Sequence, residues 1–244
     1  MNTLNRRSDL SNEFTDRKKK WWNGFRDANT KEVLHYDIGV AQYGIPRGYR
    51  NININDIDVV NEKQLKVVNY MYDMINTSHA HRTMVVSGGN GTGKTFLGCA
   101  FIHAVALLDA VNDTRYHEPR YVYEGSLFRS LGGYGGESSF NFWTYKCGAL
   151  VIDEFGMTQW TASDKKTMEQ ILNIRYSNDL PTILMTNRTS DEIFGPVNNG
   201  EPLFSSQLRS RYRGGYLVDM TGPDLRTILR DEEDDPDFDP FAGR

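Results

Sequence analysis

The chain has 244 residues, 39% of them hydrophobic and 25% charged, with a formal net charge of −4. That length and balance fit one sizeable soluble domain with appendages, and the most apolar stretch, residues 97–108, is too short for a membrane span and carries His103. The polar, basic first thirty residues lack the apolar run of a secretory leader, so a cytoplasmic location and no membrane partner are expected.

Charge is unevenly spread. Residues 231–244 hold seven acids and one arginine, which leaves 27 basic against 25 acidic residues in the rest of the chain. A nearly neutral body neither demands nor excludes nucleic acid. Cys99 and Cys147 lie in or beside apolar segments with no CxxC or Cys/His cluster, which predicts reduced packing thiols. Of the five histidines, His79 and His81 come nearest to a ligand pair, and a surface loop explains them.

Residues 1–50 are basic and aromatic in patches, notably "RKKKWWNGFRD" at 17–27, without a clean period. Two readings stand for this segment: a helical element docking on a protein partner, or a solvated arm that meets phosphates through its lysines and stacks through Trp21 and Trp22. Leu65, Val68, Tyr72 and Ile75 then recur at helical spacing over 62–77. "TMVVSG" at 83–88 reads as a buried strand, 94–110 as a helix, "RYVYEG" at 120–125 as a second strand, and a short helix starts at Ser126. A glycine-rich aromatic stretch fills 132–145. "ALVIDE" at 149–154 is a third strand with no polar alternation, as expected where both faces are covered. A helix over 162–176, a strand "TILMTN" at 182–187, a capping box of Thr189 with Glu192, and a fifth strand at 216–220 complete the order. Strands alternating with helices predict a parallel α/β sheet.

The sharpest signal is "GGNGTGKT" at 88–95, which satisfies GxxxxGK[ST] between a predicted strand and a predicted helix. Gly88, Gly89, Asn90, Gly91, Thr92 and Gly93 would turn backbone amides toward phosphate oxygens, and the helix start, with Phe96 in its first turn, adds the positive end of its dipole. Lys94 is expected on the β- and γ-phosphates of ATP and the Thr95 hydroxyl on Mg²⁺. The third strand ends in Asp153, assigned to the metal, and Glu154, assigned to polarising an attacking water; a turn-capping role for Glu154 competes with the second assignment. The fourth strand brings Asn187 to the same edge, where its amide could hold that water or merely form the turn. Arg209, Arg211 and Arg213 stand on alternate residues of "QLRSRYRGG", a pattern that calls either for solvent on an ordinary face or strand edge or for an anion.

The order of P-loop, "LVIDE", "TILMTN" and "SRYR" resembles the AAA+ ATPases, and within them the DnaC-type helicase loaders, with the IstB-type transposition helpers as close relatives. The resemblance runs over residues 44–230 and includes "GIPRGYRN" and "LNIRYSNDLPTILMTN". It implies a five-stranded parallel P-loop sheet flanked by helices, a lid reduced or absent, and an N-terminal extension. Residues 1–50 would be the helicase-docking segment, 51–230 the ATPase domain, and 231–244 a disordered acidic tail, which either solubilises or mimics a docking peptide. It further implies an arginine finger at Arg211, with Arg213 as second candidate, reaching ATP held by a neighbouring copy, and a nucleotide-sensing arginine at Arg226. The implied partners are a hexameric replicative DNA helicase of the DnaB type, single-stranded DNA, and further copies of the chain joined through ATP. Tyr134, Phe140, Phe142, Trp143 and Tyr145 fall where loaders insert assembly or strand-binding elements, and either stack bases or pack.

Overall fold

The computed structural model describes residues 43–50, 52, 61–76, 82–112, 118–132, 135–195, 203–222 and 224–225. Residues 1–42 of the expected docking segment, with Trp21 and Trp22, the acidic tail, Tyr134, the His79/His81 pair and Arg226 lie outside the described residues, whereas Ile45 from the end of that segment is buried in the hydrophobic core.

Helix α1 (Glu62–Asn76) leads to β1 (Thr83–Ser87), and the phosphate-motif turn joins β1 to α2 (Lys94–Asn112). Next come β2 (Arg120–Tyr123), α3 (Glu124–Leu131), α4 (Gly136–Asn141) and a π-helical turn (Phe142–Lys146) closed by Cys147 N–H on the Phe142 carbonyl at 2.9 Å. Strand β3 (Leu150–Asp153), α5 (Ala162–Ser177), β4 (Thr182–Thr186), α6 (Ser190–Phe194), α7 (Ser206–Arg213) and β5 (Tyr216–Asp219) follow. The five strands order as β2-β3-β4-β1-β5, and every recorded pairing is parallel.

The strands read as unbroken apolar runs because alternate residues feed two different cores. Met84, Val86, Val151, Ile183, Met185 and Val218 face the core built with α1 and α2. Val85, Leu150, Ile152 and Leu184 face the core built with α3, α5 and α7. A parallel sheet covered on both sides requires apolar residues at both parities. Cys99 is buried in the first core and Cys147 in the second, both as free thiols, as the sequence predicts.

Three local readings change. Strand β2 stops at Tyr123 and its helix begins at Glu124 rather than Ser126, because Glu124 is drawn into the interior by partners described below. The buried face of α1 runs through Leu65, Val68, Met71 and Met74, leaving Tyr72 and Ile75 half-buried. The arginine box is a helix, started by the Ser205 hydroxyl on Leu208 N–H at 3.5 Å, so alternate-residue spacing does not put the three arginines on one face.

Of the aromatic stretch, Trp143 is buried and donates from Nε1 to Ser130 Oγ at 2.9 Å, while Phe140 and Phe142 pack against the second core. Packing wins for those three. Tyr145, 57% exposed, is the member left at the surface among the described residues.

Candidate nucleotide site

The site forms at the carboxyl edge of the sheet, where β1, β3 and β4 end side by side. Gly88 leaves β1 with φ +145°, and a Cβ there would lie 2.8 Å from the Met220 backbone, so no side chain fits. The chain then passes through Gly91 at φ +71° and Gly93 at φ +90° before opening α2. Lys94 is buried with its ammonium inside this turn, donating to the carbonyls of Gly88 at 2.7 Å and Gly89 at 2.6 Å. Burial holds the ammonium pKa below the usual lysine value, and the Asp153 charge offsets only part of that.

One residue further on, the Thr95 hydroxyl donates to Asp153 Oδ2 at 2.8 Å, so the helix start and the end of β3 share a proton. Asp153 is 4% exposed, and its Oδ1 accepts the Glu154 N–H at 2.8 Å. Glu154 then takes φ +56°, an uncommon conformation for a residue with a side chain, which turns it out of the strand line into an exposed position. The two acids of one strand end thus separate into a buried, hydrogen-bonded carboxylate and a solvent-facing one.

Asn187, at the end of β4, donates from Nδ2 to Asn90 Oδ1 at 2.8 Å and closes the cluster across the turn. Arg188 Nε reaches the Gly156 carbonyl, and Thr186 Oγ1 donates to the Phe155 carbonyl at 2.7 Å, so the ends of β3 and β4 are laced together. Lys94, Thr95, Asp153, Glu154 and Asn187 therefore meet at one place.

The donor set fits a nucleotide phosphate with a hard divalent cation. A buried ammonium sits in a glycine turn at the start of a long helix, as a polyanion requires. Beside it, one hydroxyl and one buried carboxylate share a hydrogen bond, an all-oxygen pair suited to Mg²⁺ and the waters it keeps. No group of three or more His, Cys, Asp or Glu side chains that could hold a metal ion occurs among the described residues.

Arg211 and Arg213 are not part of this cluster. Helix α7 ends just before β5, whose first residue pairs with Met84 near the start of β1, whereas the phosphate turn follows the end of β1. The length of the sheet, about 15 Å at 3.3 Å per residue, lies between them. Arg211 Nη1 donates to Asn173 Oδ1 at 2.6 Å, and its guanidinium lies 4.9 Å from the Tyr176 ring centroid. Arg213 Nη2 donates to the Phe194 carbonyl at 3.0 Å.

Two residues that sequence reasoning missed support the site. The Tyr121 hydroxyl donates to Asp153 Oδ2 from β2, next to β3. Glu124, 0% exposed, accepts from Gly156 N–H at 2.6 Å, Thr158 N–H at 3.2 Å and the Thr158 hydroxyl, fixing the turn after Glu154. An acid directly behind an apolar strand was the available signal for Glu124; nothing local marks Tyr121.

No protein-family profile matches the chain. A protein described as ATP-binding, in an insertion sequence of Mycobacterium tuberculosis, is 25% identical over 158 residues, which span 62% of this chain and 58% of that relative. Among solved structures, DnaI superposes with a TM-score of 0.57 at 19% identity, over 73% of this chain and 93% of that one. The replication initiator DnaA bound to AMPPCP and single-stranded DNA gives 0.56 at 18% identity, over 78% of this chain and 56% of that one. The chain thus spans little more than half of the curated relative and of that DnaA. The expected α/β fold class holds: a five-stranded parallel sheet flanked by helices, a fold shared with the solved DnaI and DnaA structures. The expected resemblance holds too, with replication proteins as structural neighbours and an insertion-sequence protein as curated relative. No helix among the described residues is long and apolar enough to cross a membrane.

Proposed function

We propose that the chain is an ATPase that places a hexameric replicative DNA helicase on single-stranded DNA, hydrolysing Mg-ATP at interfaces between copies of itself. The observation that carries the ATPase reading is the convergence of Lys94, Thr95, Asp153, Glu154 and Asn187 at one sheet edge.

In this reading the Lys94 ammonium leaves its carbonyl partners for the β- and γ-phosphates, while the amides that open α2 face their oxygens. Thr95 and Asp153 would hold Mg²⁺ and its waters, and the bound ion would supply positive charge against the phosphoryl oxygens. Glu154, turned outward by its left-handed backbone, accepts the proton of the attacking water as that oxygen bonds to the γ-phosphorus and the bond to ADP breaks. The Asn187 amide orients the water. Arg211 sits too far from its own chain's turn, so its partner phosphate is one held by a second copy, where a guanidinium offsets the charge developing on the transferred group.

Glu154→Gln tests the hydrolytic role. Turnover should fall at least about 10²-fold while nucleotide binding persists; a variant that turns over at the normal rate removes Glu154 from the chemistry.

The insertion-sequence relative favours a second reading, a transposition helper that binds duplex DNA and delivers a transposase. Two measurements separate them. A loader's ATP turnover rises with single-stranded DNA and it captures a ring helicase in the presence of ATP; a helper responds to duplex and captures a transposase.

A further inference from the structure

Tyr121 lies on β2 in register with Val151, two residues before the pair Tyr123 and Asp153. Its side chain is 2% exposed and belongs to the core shared by α1 and α2, a position that phenylalanine would fill equally well by volume. What distinguishes the tyrosine is its hydroxyl. A buried hydroxyl needs an acceptor, and this one donates to Asp153 Oδ2, the oxygen that also takes the Thr95 proton at 2.8 Å. With Oδ1 occupied by the Glu154 N–H at 2.8 Å, both carboxylate oxygens are tied, by donors on β2, on α2 and in the turn after β3.

We propose that Tyr121 is a positioning residue that fixes the Asp153 carboxylate for the divalent cation of a bound nucleotide. This rests on the Mg-nucleotide reading above. The phenol does not reach the phosphate turn itself. It acts on the rotamer of Asp153: without it, Oδ2 keeps the Thr95 hydroxyl alone of these two donors, and the carboxylate can rotate about χ2 away from the angle that faces a cation at Thr95. Hydrogen bonds that orient a metal-holding carboxylate typically matter about 10- to 100-fold in metal affinity.

The test is binding of a fluorescent ADP analogue to full-length wild type and Tyr121→Phe, in EDTA and across a series of MgCl₂ concentrations. Expected are an unchanged affinity in EDTA, which reports an intact fold and phosphate turn, and a Mg²⁺ concentration for half-maximal tightening raised about tenfold. In an Asp153→Asn background the same substitution should add nothing further, since both act through one carboxylate. An unchanged or lowered Mg²⁺ midpoint overturns the proposal, as does a parallel loss of affinity in EDTA or full additivity with Asp153→Asn. If wild type itself binds the analogue with no dependence on Mg²⁺, the Mg-nucleotide reading falls first and takes this inference with it.

Discussion

The Glu124 carboxylate, wholly buried at the start of α3, accepts the Gly156 N–H at 2.6 Å and so holds the turn that begins at Glu154 from beneath. Thr158 adds its amide at 3.2 Å and its hydroxyl to the other oxygen, so one side chain binds three donors of a five-residue turn. Glu124→Gln keeps the volume but puts an NH₂ group against donors, which leaves at least one of them facing another donor. The expected outcome is a fall in ATP turnover of roughly tenfold or more with nucleotide affinity kept, because Lys94 and Thr95 lie outside this turn. Single-turnover hydrolysis beside an ADP-binding titration distinguishes that result from general unfolding, which lowers both.

Arg211 and Lys94 sit at opposite edges of the same sheet, and that separation makes a mixing experiment decisive. Lys94→Ala and Arg211→Ala, each alone, should lose turnover by roughly 10³-fold or more. Mixed in equal amounts, about a quarter of randomly formed head-to-tail interfaces join an intact phosphate turn to an intact Arg211, so turnover should partly return. No recovery at any mixing ratio, with both proteins folded and associated, removes Arg211 from a role across the interface.

How much of this was legible beforehand depended on the range of the contact. The phosphate turn is local: glycines at 88, 91 and 93 with Lys94 behind them declare a turn that only positive φ can make. The strands were legible for a related reason, since residues such as Val85 and Val86 are both apolar and serve opposite faces. The helical form of the arginine box is not legible in its charge spacing, which fits a strand edge and a short helix alike, and the deciding residue is the Ser205 cap outside the charged run. Tyr121 to Asp153 and Glu124 to Gly156 each span 32 positions and are brought together by the pairing of β2 with β3, so no local pattern announces them. Arg175 was within reach: Met168, Ile171 and Leu172 form a buried helical stripe, and the next place on that stripe is an arginine.

That arginine carries a third prediction. Arg175 is 0% exposed and meets no carboxylate in its recorded hydrogen bonds; Nε donates to Thr182 Oγ1 at 2.8 Å, Nη1 to the carbonyls of Trp143 at 2.9 Å and Cys147 at 2.6 Å, and Nη2 to Pro181 at 2.9 Å. It joins α5, the π-helical turn and the start of β4 in one knot, and burial pulls its pKa down. Arg175→Met fits the stripe but takes the donor away from the buried Trp143 and Cys147 carbonyls, each at a cost of about 1 to 3 kcal/mol when no water reaches it, while the Pro181 carbonyl keeps the Leu150 N–H at 2.9 Å. A loss on the order of 3 kcal/mol is expected, or about 6 to 12 °C in Tm for a domain of this size. Differential scanning calorimetry measures it, and a change within about 1 °C contradicts the assignment.

His103 sets the pH dependence. It is buried on α2, its Nε2 lies 3.1 Å from the Tyr49 carbonyl, and burial lowers its pKa while that carbonyl partly restores it. A histidine whose folded pKa is depressed binds its proton more readily in the unfolded chain, so the unfolded state gains as pH falls. The stabilising contribution is therefore complete above the unfolded value of about 6.5 and is lost as pH drops through the lower folded value. Glu192, held below the usual carboxylate range by the Thr189 amide and hydroxyl, loses its contribution only as pH falls below the ordinary carboxylate value of about 4.3. Urea midpoints measured from about pH 7.5 to 5 should decline in wild type, and His103→Gln, whose amide can still donate to the Tyr49 carbonyl but takes up no proton, should flatten that decline. An equal slope in both proteins would assign the acid sensitivity to other groups.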